Sequence, residues 1–287
     1  MKHLALIPAL LFAVSAAAQS PRDRLLVSVD WLAQHLNDPD LVLLHVGPQD
    51  GFQREHIAGA QWTHMSAVAR PRVEGELTLE VPDPSALRDS LVARGVTDRS
   101  RIVVYWGDEW VTPTARVMFT LDWAGLGDRT VLLDGGIEAW KAAGRPVTTA
   151  VTSPSQGTLT IRPRSDRVVD AAFVQRLPQP RYALVDAREG QHYDGVMGPG
   201  HIPGAGSLPW SNLVDERLHL RPAAELRALF ANAGVDDGDT VVVYCHIGQY
   251  ATEVIFAART LGFDVRLYDG AQQDWQQRGL PWETGGQ

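Results

Sequence analysis

One half of this chain repeats the other. Gly95-Val96-Thr97-Asp98 leads into Ile102-Val103-Val104-Tyr105, and Gly234-Val235-Asp236-Asp237 leads into Val241-Val242-Val243-Tyr244, with 139 positions from Tyr105 to Tyr244. The flanks match as well. Upstream, His56-Ile57-Ala58-Gly59-Ala60 is answered by His201-Ile202-Pro203-Gly204-Ala205; downstream, Leu133-Asp134-Gly135 with Trp140 is answered by Tyr268-Asp269-Gly270 with Trp275. A period this long is a whole domain, because the units of a stacked solenoid run to about 20–45 residues. Two copies of one architecture are therefore expected.

Each copy alternates strand-like and helix-like stretches. In the second, Tyr182 to Asp186 and Thr240 to Tyr244 are short apolar or β-branched runs suited to buried parallel strands, and Asp264 to Tyr268 is a weaker, partly polar one. Helical patterns lie between them, from Pro222 to Ala233 ahead of Gly234 and from Ala251 to Leu261 ahead of Gly262, with proline at a start and glycine at the ends. The first copy predicts strands near Leu41 to Val46, Arg101 to Trp106 and Thr130 to Leu133, and helices near Pro84 to Arg94 and Pro113 to Ala124. This order predicts an α/β fold, each domain a mainly parallel sheet flanked by helices. The stretch 148–165, rich in Thr, Ser and Pro, reads as a linker between domains at 19–147 and 166–287.

Residues 1–18 stand apart. Lys2 and His3 precede an apolar run from Leu4 to Val14, and Ala16-Ala17-Ala18 offers a small-residue cleavage site, the pattern of a secretory signal peptide. Eleven apolar residues are too few to span a hydrocarbon core, which needs about 20. The expected product is an exported, periplasmic or secreted protein with no stable membrane insertion after cleavage. Export gives meaning to the single cysteine, Cys245. It has no internal disulfide partner, so in an oxidising compartment it is intermolecular, buried and inert, or kept for its chemistry.

Its position favours chemistry. Cys245 follows the run Val241 to Tyr244 and precedes a helix beginning near Ala251, and ligands of parallel α/β sheets bind at the carboxyl ends of the strands. The few residues between, His246-Ile247-Gly248-Gln249-Tyr250, are expected to curl around the sulfur, their amides forming an anion-binding nest beside the positive end of the helix. Both effects are expected to favour the thiolate, which is the nucleophile.

Taken together, these motifs resemble the tandem-domain rhodanese family of sulfurtransferases: Gly51 to Ala60 in the first half, Asp186-Ala187-Arg188 followed by Gly200 to Ala205 in the second, and the Cys245 to Tyr250 loop after a fourth strand. The resemblance implies a catalytic second domain and a silent first one. Trp106 stands where Cys245 would be, and His45 and Gly47 stand for Asp186 and Arg188. It implies that Cys245 takes sulfane sulfur from a small-molecule donor, thiosulfate first and 3-mercaptopyruvate second. The persulfide is then cradled by His246, Ile247, Gly248, Gln249, Tyr250 and Ala251 and passed to cyanide or a thiol. Arg188, with Asp186 and His192 beside it, is the implied substrate-binding group. The loop C-H-I-G-Q-Y has neither the basic residues of thiosulfate users nor the C-G-S-G-V-T of mercaptopyruvate users, so donor affinity is expected to gain on mild acidification through His246 and His192. His56 and His201 recur in both halves and read as structural.

Other classes fit less well. A cysteine phosphatase of the C-x5-R type needs an arginine where Ala251 stands. The histidines show no metal-binding spacing, and no cofactor is implied. Net charge is −8 with no basic run, which gives a nucleic acid no footprint. An exported sulfur carrier that hands on persulfide sulfur without free turnover remains the alternative.

Overall fold

The computed structural model describes residues 19–154 and 157–285; the leader segment lies outside them. Two five-stranded, wholly parallel sheets carry the fold. In the first, β1 (Leu26–Val27), β2 (Leu41–Val46), β3 (Gln61–Thr63), β4 (Arg101–Trp106) and β5 (Thr130–Leu133) lie in the order β1-β5-β4-β2-β3. In the second, β6 (Val168–Val169), β7 (Tyr182–Asp186), β8 (Gly206–Ser207), β9 (Thr240–Tyr244) and β10 (Asp264–Tyr268) repeat it as β6-β10-β9-β7-β8. The long strands fall where the apolar runs predict. The two- and three-residue edge strands β1, β3, β6 and β8 do not announce themselves, being too short to show a period-two pattern.

The repeat reaches single hydrogen bonds. Trp140 donates from Nε1 to the Pro146 carbonyl, and Trp275 donates to the Pro281 carbonyl, both at 2.8 Å. His56 and His201 sit at matching antiparallel bridges, to Thr148 and Glu283, with Nδ1 bonded to the carbonyls of Phe52 and Tyr193. Those rings stack on Phe52 and Tyr193 at 4.0 and 3.8 Å.

Strand alternation decides which side chains meet between the domains. Leu44, Val46, Val104 and Trp106 of the first sheet and Val185, Val241, Val243 and Cys245 of the second share one continuous buried core. Leu43, Val103 and Tyr105, and likewise Leu184, Val242 and Tyr244, face smaller cores on the outer sides. Between the sheets lie the helices Val111–Trp123 and Tyr250–Leu261, one from each copy, packed together along the domain interface. They run parallel: Thr112 meets Gln249 at one end, and Asp122 meets Arg259 at the other. The second helix stops at Gly262, whose left-handed backbone (φ 91°) satisfies the last carbonyls. The N-terminal residues cross over as well, with Arg22 donating to the carbonyls of Leu220 and Arg221 at 2.8 Å. Among the described residues no helix is long and apolar enough to cross a membrane.

The helix Tyr250–Leu261 buries one carboxyl that stays neutral. Glu253 is 4% exposed, and burial pushes its carboxyl up to about 8. The folded chain therefore keeps a proton that the unfolded chain releases near pH 4.5. The stability this group contributes is full below that pH and is lost as pH rises toward 8, by up to about 5 kcal/mol at roughly 1.4 kcal/mol per unit. Glu253→Gln, neutral throughout, is expected to flatten that slope. Denaturant melts from pH 5 to 8.5 read the effect, and parallel slopes for the two proteins would exclude it.

Candidate active site

Cys245 leaves the carboxyl end of β9 as the next inward-facing position after Val243, and it is 1% exposed. The backbone amides of Ala251, Ile247, Gly248 and Tyr250 surround its sulfur and favour its ionised form. Gly248 makes this convergence possible, because its φ of 82° turns the loop where a side chain would be strained. A Cβ there would also lie 3.0 Å from Arg116 Nη1 and 3.1 Å from Asp269 Oδ1.

The electrostatic outcome differs from the sequence expectation. Burial pushes the Cys245 thiol above its ordinary value, and the four amides oppose that shift without cancelling it. The resting group is a thiol in a cradle shaped for an anion. The other two loop residues face elsewhere: Gln249 donates from Nε2 to Thr112 Oγ1 at 2.9 Å, and His246 Nδ1 lies 2.6 Å from Gln272 Oε1.

Gln272 is a residue that sequence reasoning missed, and its role is geometric. Its backbone N–H donates to the Cys245 carbonyl at 3.0 Å. Its Oε1 also accepts from Arg188 Nη1 at 3.2 Å, so the oxygen is presented to both neighbours and His246 carries its proton on Nδ1. His192 Nδ1 likewise donates to the Met197 carbonyl at 2.7 Å. The two imidazoles meet edge to face at 4.5 Å, each with Nε2 left as the basic nitrogen. Burial holds His246 below the ordinary histidine value. It stays uncharged near neutral pH, which counts against a gain in donor affinity on mild acidification through this ring.

Asp186 and Arg188 are brought together and buried completely. Arg188 Nη2 and Nε lie 2.6 and 3.0 Å from Asp186 Oδ2, and Nη2 also donates to the Gly200 carbonyl at 2.6 Å. Tyr244, on the outer face of β9, donates to Asp186 Oδ2 at 2.8 Å and accepts the Ile202 N–H at 2.9 Å. The first domain keeps the same frame with different chemistry: Tyr105 accepts the Ile57 N–H at 3.1 Å and meets His45 Nδ1 at 3.0 Å. Burial, helped by His56, lowers His45 to about 4, so a neutral ring occupies the place of the Asp186–Arg188 pair.

A second arginine reaches the loop from the other domain. Arg116, fully buried in the helix Val111–Trp123, donates from Nη1 to Asp269 Oδ1 at 2.8 Å and to the Gly248 carbonyl at 3.3 Å, and from Nη2 to the Leu79 carbonyl. Asp269 Oδ2 also accepts the Val81 N–H at 2.7 Å. A lone charge in the middle of an apolar helix was the available signal. Aromatic rings border the loop, Tyr250 stacking on Trp210 at 5.6 Å.

A lone cysteine at a strand end, ringed by amides and answered by a tryptophan in a matching domain, invites comparison with known proteins. The description "Rhodanese-like domain" matches this chain twice, over residues 28–143 and 170–278. The chain belongs to the rhodanese family. A Pseudomonas aeruginosa protein named as a probable 3-mercaptopyruvate sulfurtransferase is 35% identical over 277 residues, covering 87% of this chain and 94% of its own. A Mycobacterium bovis protein provisionally named a thiosulfate sulfurtransferase is 30% identical over 290 residues, covering 91% and 98%. The crystal structure of SseA from Escherichia coli, described as a 3-mercaptopyruvate sulfotransferase, superposes with a TM-score of 0.76 at 26% identity over 86% of this chain and 98% of that one. Rhodanese-family membership and these names support sulfurtransferase activity for the protein.

Proposed function

We propose that the protein moves sulfane sulfur from a small anionic donor to a thiophilic acceptor through a persulfide on Cys245. The observation that carries this reading is the set of four amides directed at one buried sulfur. Such a cradle stabilises negative charge on the sulfur it surrounds, in the thiolate and in the persulfide that replaces it. The Cys245 thiolate attacks the donor's terminal sulfur and an S–S bond forms. With thiosulfate the donor S–S bond breaks and sulfite leaves with the electron pair. With 3-mercaptopyruvate the C–S bond breaks, and pyruvate leaves as its enolate and takes up a proton. Cyanide or a thiolate then attacks the outer sulfur and returns the Cys245 thiolate.

The charges at the site favour 3-mercaptopyruvate over thiosulfate, reversing the order expected from sequence. None of the loop residues His246 to Ala251 bears a permanent charge, His246 is held neutral, and the Arg188 guanidinium is committed to Asp186 and Gly200. A monoanion loses less hydration than a dianion on entering such a site. Arg188 and Asp186 then act as positioning residues, holding Gln272, His246 and the end of β9. Export after cleavage at Ala18 belongs to the same proposal, and N-terminal sequencing of the protein recovered from its native compartment tests it.

The decisive experiment is the intact mass of reduced protein exposed separately to the two donors. A gain of one sulfur is the expected result, faster with 3-mercaptopyruvate; no gain with either donor overturns the proposal. Because the thiol is raised, persulfide formation in a single turnover should also accelerate with pH. Log rate is expected to climb with a slope approaching one from pH 6 to 8 as thiolate replaces thiol. A flat profile would mean the sulfur is already ionised at rest.

A further inference from the structure

The two interface helices have their N-terminal ends at the Cys245 loop. At their C-terminal ends, about 18 Å away along a twelve-residue helix, the domains part around a cavity of ≈ 770 Å³ that is open on one side. Five arginines line it: Arg24, Arg101 and Arg129 from the first domain, Arg167 and Arg259 from the second. Among the described residues, the lining carboxylates are those of Asp23 and Asp128. Asp23 is engaged as a capping residue, accepting from the Ser20 N–H and hydroxyl.

Beneath the lining, Asp122 is shared by three guanidinium groups, those of Arg164, Arg167 and Arg259, at 3.5, 3.1 and 3.1 Å. Asp264 takes Arg167 Nη1 at 2.7 Å. Asp166 takes Arg164 Nη2 at 3.4 Å, so the count for the whole cluster is six arginines against five aspartates. The two helix C-termini add roughly half a negative charge each. The imbalance lies on the lining itself, five arginines against two aspartates, in a chain whose net charge is −8.

Two further observations show that several of the arginines are incompletely paired. Arg167 is 8% exposed, and its Nε is buried without a hydrogen bond although Asp122 Oδ2 lies 3.1 Å away, because the geometry is misaligned. Arg24 and Arg101 form no ion pair among the described residues; the Arg101 guanidinium sits over the Trp31 ring, 4.3 Å from its centroid. Burial disfavours the charged form of Arg259, Asp122 offsets this in part, and Arg167 and Arg164 crowd it. Guanidinium groups converging from two domains on one open cavity are suited to bidentate recognition of a polyoxyanion.

We propose that this cavity is a second ligand site, taking a soluble multivalent oxyanion of the phosphate, sulfate or pyrophosphate class and clamping the two domains together at the end of the interface remote from Cys245. A ligand that bridges folded domains raises the melting temperature with its concentration. The experiment compares thermal melts and calorimetric titrations of the full chain with pyrophosphate and with sulfate, against potassium chloride at equal ionic strength. Wild type and Cys245→Ser are expected to gain several degrees and to bind alike. The double variant Arg24→Ala/Arg101→Ala, altering exposed cations only, is expected to melt as wild type does in chloride and to bind at least tenfold more weakly. Arg101→Glu alone should weaken binding in the same direction. The proposal fails if neither oxyanion shifts the melt beyond the chloride control, if both variants bind as wild type does, or if Cys245→Ser abolishes binding.

Discussion

Cys245→Ser is expected to take up no sulfur from either donor and to lower turnover by more than about a thousandfold, the scale of losing a covalent nucleophile. The argument is chemical rather than steric. Serine is slightly smaller at a site that is 1% exposed, and its oxygen can accept from the same amides of Ala251, Ile247, Gly248 and Tyr250 that hold the sulfur. The fold and the loop should persist. A hydroxyl does not ionise in the pH range where a thiol does, even one raised by burial, and it forms no persulfide. Intact mass after donor exposure, with circular dichroism to confirm folding, checks this. Uptake of sulfur by the serine variant would remove Cys245 from the mechanism, since the chain has no other cysteine.

Arg116→Met is expected to be the most damaging substitution in the first domain. Its guanidinium is fully buried, spans the domain interface, and holds Asp269, the Gly248 carbonyl and the Leu79 carbonyl at once. Methionine would fill much of the volume but leave Asp269 buried with the Val81 amide as its remaining support. Removing one member of a buried pair costs about 3–5 kcal/mol. The loop should suffer separately, because the Gly248 carbonyl loses its donor while the Gly248 N–H is one of those facing the sulfur. Adding Asp269→Asn to Arg116→Met removes the stranded charge and should restore most of the stability without restoring the rate of persulfide formation. Denaturant midpoints and single-turnover rates separate the two effects. A single variant within 1 kcal/mol of wild type, with an unchanged rate, would show that the interface does not brace the loop.

These two expectations give the duplicated domain a purpose. Its own site is closed: Trp106 is buried in the position of the cysteine, and a Cβ on Gly136 would lie 2.6 Å from the indole. What the first domain contributes is a wall. Thr112 and Arg116 from one helix, with the backbone of Leu79 and Val81, contact Gln249, Gly248 and Asp269 of the second domain. The active loop is a product of both copies.

Much of this architecture could be read before any coordinates. Strands β2, β4, β5, β7 and β9 are runs whose apolar and β-branched residues have no stable alternative to a sheet buried on both faces. The weaker β10 holds its polar residue on the outer side, where Arg266 lies over the Phe173 and Tyr182 rings at 5.3 and 5.2 Å. The place of Cys245 followed from the repeat, since the same strand end carries Trp106 in the other half. Gln272 and Arg116 were not legible in this way, because contacts across 27 and 129 positions from Cys245 leave no local pattern.

The sequence by itself determined the duplication, the parallel α/β units, the single cysteine at a strand end and the short loop beside it, because each is a local consequence of strand period, turn residues and spacing. Tertiary structure alone decided the charges. The thiol is raised, His246 is neutral and Arg188 is turned inward to Asp186, because desolvation and pairing depend on what the rest of the chain packs against each group.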